Sequence, residues 1–411
     1  MNKDLETYAN WKCRGVELTT DELTLKAEGS YWTGREQVWL DGEVVSKKWN
    51  YRLSSSHRFM GNGENYKVTF KMKNIFTIPF ILLFIYCNNP DPSPNPKIHI
   101  YDQSFNSIIN TFSDIEILAD SISLPEGPVW DEGSKSLLFV DIINNKVLKW
   151  NEKNGLTDYI MPSGNTGYAP NLGEGLLGAN GLSLDSEGNL ILCQHGDRRI
   201  AKITNKSSDN PNFTTVIDNY EGKRLNSPND LTISKDGDIY FTDPPFAFFD
   251  LNTFSFVETE MRELDFNGVF KFNPKNNEMK LISRDIESPN GLALSPDEKF
   301  LYVNKMGNPF SETPAKIIKI NLNDMTSETF FEGSDLLENL EGNYDGMKVH
   351  SSGHLFTSGP GGLLVISPKG ELLARIDFGD ITNCAFDKNE KYLYATGFIS
   401  NPKIFRLKLK D

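Results

Sequence analysis

Leu225-Asn226-Ser227-Pro228-Asn229-Asp230-Leu231 places a polar turn, closed by an amide and a carboxylate, at the head of an alternating run that continues to Thr242. The same grammar recurs at Ala179-Asn180-Gly181-Leu182, Pro289-Asn290-Gly291-Leu292, Tyr344-Asp345-Gly346-Met347 and Thr382-Asn383-Cys384-Ala385. Each head carries Asn or Asp, then a small or polar residue, then an apolar strand, a charged turn and a second strand. Second strands begin at Ser136, Gly188, Gly237, Lys299, Gly353 and Lys391, and third strands at Lys146, Arg199, Gly268, Ala315, Gly362 and Lys403. A unit repeating every ~40–60 residues, with period-two alternation and Gly/Asp/Asn turns, signals a propeller. Residues 112–411 therefore read as an all-β, six-bladed β-propeller, with the strand near Ile115–Leu118 closing the ring by joining the last blade.

In such a ring the innermost strands run along the central channel, so residues just before them converge at one mouth. Those residues are Glu126, Asn180, Asn229, Asn290, Asp345 and Asn383. Asn-Gly and Asp-Gly are ordinary turn dipeptides one at a time; it is their common register that points to a site. Carboxylates and amides crowded into a narrow channel are costly without a partner, and a hard divalent cation supplies one. Five His and four Cys, with no HExxH and no CxxC, leave oxygen as the ligand atom. The expected cofactor is one divalent metal ion, Ca²⁺ first, with Zn²⁺, Mg²⁺ and Mn²⁺ as alternatives.

Pro125-Glu126-Gly127-Pro128-Val129-Trp130, Gly222 through Leu231, Ile239-Tyr240-Phe241-Thr242-Asp243-Pro244-Pro245 and Ser288-Pro289-Asn290-Gly291-Leu292-Ala293 resemble the gluconolactonase branch of the senescence marker protein/gluconolactonase family. Asp345-Gly346-Met347-Lys348-Val349 and Thr382-Asn383-Cys384-Ala385-Phe386 extend the resemblance across nearly the whole propeller. It implies a metal-dependent hydrolase acting on carboxylic ester bonds, a lactonase that opens sugar lactones. It also implies Glu126, Asn290 and Asp345 as metal ligands, with Asn229 a ligand or substrate contact. Two departures stand out. Cys193-Gln194-His195-Gly196 replaces Cys-Glu-His-Gly, and Asn304-Lys305 stands where relatives carry a metal-side Asp.

The mechanism expected from these residues is hydrolysis by metal-activated water. Asp345 is ligand and catalytic base, Glu126 the anionic anchor, and Asn229 and Asn290 complete the metal set. Asn180, His195, Asn229 and Tyr240 are the candidate substrate contacts; Asp243 and Phe246 wall the mouth, and Asp230 is expected to point away and brace the loop. Arg198 and Arg199 are either anion-binding or solvent-facing. No GxSxG elbow occurs, which argues against a serine esterase. The rival readings are a phosphotriesterase-like hydrolase on the same metal and a non-catalytic extracellular ligand-binding propeller.

The net charge of −14 excludes a nucleic-acid-binding surface. The expected partner is a small-molecule sugar lactone, and the expected state a monomer or homodimer. Upstream of the propeller, residues 1–71 read as a small β-rich extension or a gene-model artefact, with Trp39 to Val45 a hairpin around Asp41-Gly42. Residues 72–87 combine a basic start, an apolar run from Ile75 to Tyr86 and a terminal Cys87, like a lipoprotein signal peptide. The Phe84-Ile85-Tyr86-Cys87 box lacks the usual small residue before the Cys. With Met72 as the start, the protein is exported, periplasmic or lipid-anchored in the cell envelope; otherwise it is membrane-associated through the Cys87 region. Residues 88–111, Pro-rich at their start, read as a linker.

Overall fold

A computed structural model describes residues 97–411, apart from 103–104, 106–107, 174, 206–210, 251–252, 254 and 411. Further upstream it describes backbone strands only. The chain divides into two units, Met1–Ser93 and Pro94–Asp411. In the first, the strands from Asp4–Ala9 to Glu43–Trp49 form a five-stranded antiparallel sheet in sequence order. Leu40 stands opposite Glu43, as the hairpin reading requires. Ser54–Gly61, Glu64–Lys73 and Phe80–Cys87 form a second sheet, the last strand covering the end of the apolar run and Cys87. The proline-bearing segment 88–96 lies outside the described residues, and no described helix is long and apolar enough to cross a membrane.

The second unit is the six-bladed β-propeller, each blade an antiparallel sheet. The innermost strands are Pro125–Asp131, Ala179–Leu184, Leu231–Ile233, Pro289–Leu294, Met347–Val349 and Ile381–Phe386. Alternation inside each blade feeds two cores. In Leu190–Gln194, Leu192 packs with Val140 and Val147 of blade 1, while Ile191 and Cys193 pack with Phe241 and Phe270 of blade 3. Tyr240 and Val269 of blade 3 likewise meet Leu292 and Val303 of blade 4. The core is thus a ring of apolar wedges between blades, each fully buried Leu, Ile, Val or Phe contributing roughly 1.5–3 kcal/mol. Helical structure among the described residues is limited to short 3₁₀ turns such as Phe246–Phe248 and Asp335–Leu337.

Ring closure is as expected: Ile115–Ala119 pairs antiparallel with Ile404–Lys408 and supplies the outer strand of blade 6. The linker reading of 88–111 needs correction over its second half. Ile98–Ile100 pairs with Leu372–Ile376 as a fifth strand of blade 5, and Ile109 bridges Leu409. The reason is apolar burial, since Ile98, Phe105, Ile108 and Ile109 enter the wedge between blades 5 and 6. The N-terminal segment therefore ties the two last blades together.

The glycines of the head dipeptides do more than turn the chain. Gly181 N–H donates to Asn229 O at 2.7 Å, Gly291 N–H to Asp345 O at 2.9 Å, and Gly346 N–H to Thr382 O at 2.7 Å. Thr242 Oγ1 donates to Asn290 O and Thr382 Oγ1 to Pro125 O, each at 2.8 Å. Adjacent blades are thereby stitched around the channel at the level of the polar heads. A Cβ at 291 would lie 2.4 Å from Asp345 O, so the approach itself demands glycine.

Candidate active site at the channel mouth

Five of the six strand heads meet at one small cavity. Glu126, Asn180, Asn229, Asn290 and Asp345 line a space of about 60 Å³, together with His195 and Thr382. That inner space is room for an ion and a few waters, a single buried water needing about 10–15 Å³ on this measure, and the cavity opens outward to solvent. The outer wall is apolar, formed by Phe246, Phe249, Met306, Phe310, Phe398 and Ile399 among others. Phe246 and Phe249 each pack their rings against Phe310, at 5.5 and 5.3 Å between centroids.

The sixth head, Asn383, lies behind the cavity and braces it. Its Nδ2 donates to Glu126 Oε2 at 3.0 Å and reaches Asp230 Oδ2 at 3.5 Å. Glu126 also accepts from Gly127 N–H. Asp230, expected from its position to turn away and brace the loop, instead faces the channel, where Lys348 Nζ lies 3.8 Å from its Oδ2. Neither Asp230 nor Lys348 was singled out from the sequence as a channel group. The signal was present, because each sits within three residues of a predicted ligand.

The acids are held in an uncomfortable place. Burial, then the Asp230 charge, pushes the Glu126 carboxyl up to about 7, against the hydrogen bonds from Gly127 and Asn383. Burial, followed by Glu126 and Asp230, raises the Asp345 carboxyl well above the ordinary aspartate value, with Asn290 opposing. Desolvation and like charge together favour protonation of such a pair unless a cation arrives. Asn290 Nδ2 also donates to Met306 Sδ at 3.0 Å. Among the described residues no three His, Cys, Asp or Glu side chains gather closely enough to hold an ion. An ion at this mouth would rest on two carboxylates and on amide oxygens.

The opening turn is fixed from below. Asp243 Oδ2 and Oδ1 accept from Asn226 N–H and Ser227 N–H, both at 2.8 Å. Ser227 Oγ donates to Pro244 O at 2.6 Å. Arg198 Nε donates to Leu225 O at 2.7 Å and to Asn226 O at 3.2 Å. Asp243 is thus a buried brace rather than a wall, and Arg198 is buried, spent on these carbonyls with the Glu263 carboxylate 3.9 Å from its Nη1. Arg199 is also internal: its Nε donates to Gln194 Oε1 at 2.6 Å, and its guanidinium lies 3.8 Å from the centre of the Tyr168 ring. Gln194 in turn donates to Ser163 O.

The substrate contacts divide. Asn180, Asn229 and His195 line the cavity, and Phe246 walls it as expected. Tyr240 does not line it. The alternation of Ile239–Asp243 turns Tyr240 into the wedge with Leu292 and Val303, under the Lys271 ammonium at 5.5 Å, so it is a packing residue and not a contact at this cavity. Asn304 is an inter-blade brace, its Nδ2 donating to Asp345 O at 2.7 Å and Thr357 Oγ1 at 2.8 Å. Lys305 holds the loop that carries Phe310, donating to Ser311 Oγ, Thr313 O and Pro314 O.

Comparison with known proteins agrees with this fold. Residues 124–398 match the SMP-30/Gluconolactonase/LRE-like region. A gluconolactonase of Zymomonas mobilis is 34% identical over 316 residues, covering 75% of this chain and 86% of that protein. Among solved structures, a gluconolactonase from Xanthomonas campestris superposes with a TM-score of 0.64 at 28% identity, over 78% of this chain and 96% of that one. A regucalcin from Agrobacterium tumefaciens, described as a calcium-binding protein, shares the fold at a TM-score of 0.53 and 16% identity, over 72% of this chain and 95% of that one. The chain belongs to the SMP-30/gluconolactonase/LRE-like family.

Proposed function

We propose that this protein is a hydrolase that opens sugar lactones at the channel-mouth cavity, with a divalent cation held by Glu126, Asn229, Asn290 and Asp345. The gluconolactonase relatives support the lactone-hydrolysing activity. The observation that carries the cation is the meeting of two fully buried carboxyls, both raised, with three amides around one small space. Oxygen-only donors of mixed charge suit Ca²⁺ and also admit Mg²⁺ or Mn²⁺. When bound, the cation supplies Lewis-acid polarisation of the lactone carbonyl and lowers the pKa of water beside it.

The chain's own residues do the rest. Asp345 takes a proton from the attacking water as its oxygen bonds to the carbonyl carbon. The ring C–O bond then breaks, the proton returns to the departing ring oxygen, and a hydroxy acid leaves. Asn180 and Asn229 orient the substrate at the cavity wall, and Asn383 holds Glu126 in register. The phenylalanine wall excludes bulk water, which strengthens each electrostatic contact inside.

The test is a pH-stat assay on D-glucono-δ-lactone, corrected for spontaneous opening, with aryl esters and a phosphotriester alongside. Asp345→Asn should lower kcat by at least about 100-fold, the scale of general-base catalysis. Glu126→Gln should lose activity through weaker cation binding. Full activity in Asp345→Asn would sink the assignment. Turnover of the phosphotriester with no lactone opening would move the substrate class.

A further inference from the structure

His195 is fully buried, and its ring belongs to the wall of the cavity. Its Nδ1 lies 3.0 Å from Leu176 O, a contact that only a protonated Nδ1 can make as a hydrogen bond. That fixes the tautomer and leaves Nε2 as the free acceptor. Nε2 is buried and has no hydrogen-bond partner among the described residues. Burial also holds the imidazole pKa down to about 4, so the ring is neutral and keeps this lone pair at neutral pH. An orphaned buried acceptor is destabilising, and its persistence at a cavity wall calls for a ligand group.

Of the other polar groups at the cavity, Asn180 and Asn229 orient the substrate in the reading above, and the rest are committed. Thr382 Oγ1 donates to Pro125 O, and Asn290 Nδ2 to Met306 Sδ. Glu126 and Asp345 are assigned to the cation in the reading above, and the outer wall is apolar. What a sugar lactone has and a plain lactone lacks is hydroxyl donors. We propose that His195 Nε2 accepts a hydrogen bond from a hydroxyl of the substrate and so selects hydroxylated lactones over unsubstituted ones. His195 is a specificity-determining residue and takes no part in the bond-breaking step. The assignment rests on the lactonase reading.

The experiment compares D-glucono-δ-lactone with δ-valerolactone, which carries no ring hydroxyl, on wild type, His195→Asn and His195→Gln. Asn can keep the bond to Leu176 O but has no acceptor at the Nε2 position; Gln places its amide oxygen there. For His195→Asn, kcat/KM on the sugar lactone should fall about tenfold, the scale of one buried hydrogen bond, chiefly through KM. Turnover of δ-valerolactone should be unchanged, and His195→Gln should recover most of the loss. An equal fall on both lactones, or no fall on either, overturns the proposal. A second readout needs no turnover: the ¹⁵N resonance of His195 Nε2, followed with D-gluconate or δ-valerolactone added. It should shift with the polyol only, and no shift with D-gluconate overturns the proposal. Wild type inactive on every lactone would instead overturn the lactonase reading, while the resonance still decides the fate of His195.

Discussion

Gly291→Ala perturbs the stitch between blades 4 and 5 without touching a side chain of the site. Gly291 lies outside the positive-φ set, so alanine meets no backbone penalty of that kind. What it meets is chain: its Cβ would lie 2.4 Å from Asp345 O and 2.6 Å from Gly346 Cα. Relief requires the neighbouring strand to retreat and the 2.9 Å bond from Gly291 N–H to Asp345 O to lengthen or break. The lost bond costs about 1 kcal/mol. The overpacking costs about 1–3 kcal/mol, giving about 2–4 kcal/mol in all. At roughly 2–4 °C per kcal/mol for a large domain, Tm falls by about 4–16 °C in calorimetry. Gly133→Ala is the control, because its Cβ would meet only the Asp131 carboxylate at 3.3 Å. It should shift stability by less than about 0.5 kcal/mol. Since Asn290 and Asp345 flank the contact, Gly291→Ala should also lose lactone turnover at temperatures where it remains folded. A Gly291→Ala protein that melts with wild type would refute the inter-blade stitch.

Further expectations concern the acids and thiols. Glu126 is raised in the folded protein from the ordinary value of 4.5 to about 7, so the folded metal-free state binds more protons than the unfolded state between those values. The resulting stability is present below the ordinary glutamate pKa and is lost as pH rises through 7. Metal-free protein should therefore melt lower at pH 8 than at pH 5.5, Glu126→Gln should flatten that slope, and saturating cation should raise Tm most at pH 8. A metal-free Tm that rises over this range would contradict the burial of the acid. Cys193 and Cys384 are buried, the first thiol raised well above its usual value and the second to about 12. Mass mapping after iodoacetamide should find both unlabelled in native protein and labelled after unfolding, because the thiolate is the reactive form.

The blade plan was readable because a buried strand must alternate and a channel strand must begin at the same mouth in every blade. Glu126, Asn180, Asn229, Asn290 and Asp345 could be grouped from register alone, and the fold brings all five to one cavity. Sequence could not show which way a side chain turns within a blade. Tyr240 fell on the wedge face of its strand, and Asp230 turned toward Lys348 rather than away. Arg198 and Arg199 looked like surface cations because burying a guanidinium requires carbonyl and amide partners scattered along the chain, such as Leu225 O and Gln194 Oε1. Ile98–Ile100 was hidden for a different reason. Three residues after a proline run carry no periodicity, and only pairing with Leu372–Ile376 makes them a strand.

If an oxygen-ligated divalent cation at the channel mouth supports lactone opening, cation binding and turnover rise together. The most direct measurement is titration calorimetry of chelator-stripped full-length protein with CaCl₂, MgCl₂ and MnCl₂, each point followed by turnover of D-glucono-δ-lactone. One site per chain is expected, lost in Glu126→Gln and Asp345→Asn, with lactone opening that rises with its occupancy. Undiminished lactone turnover by stripped protein that binds no cation would contradict it.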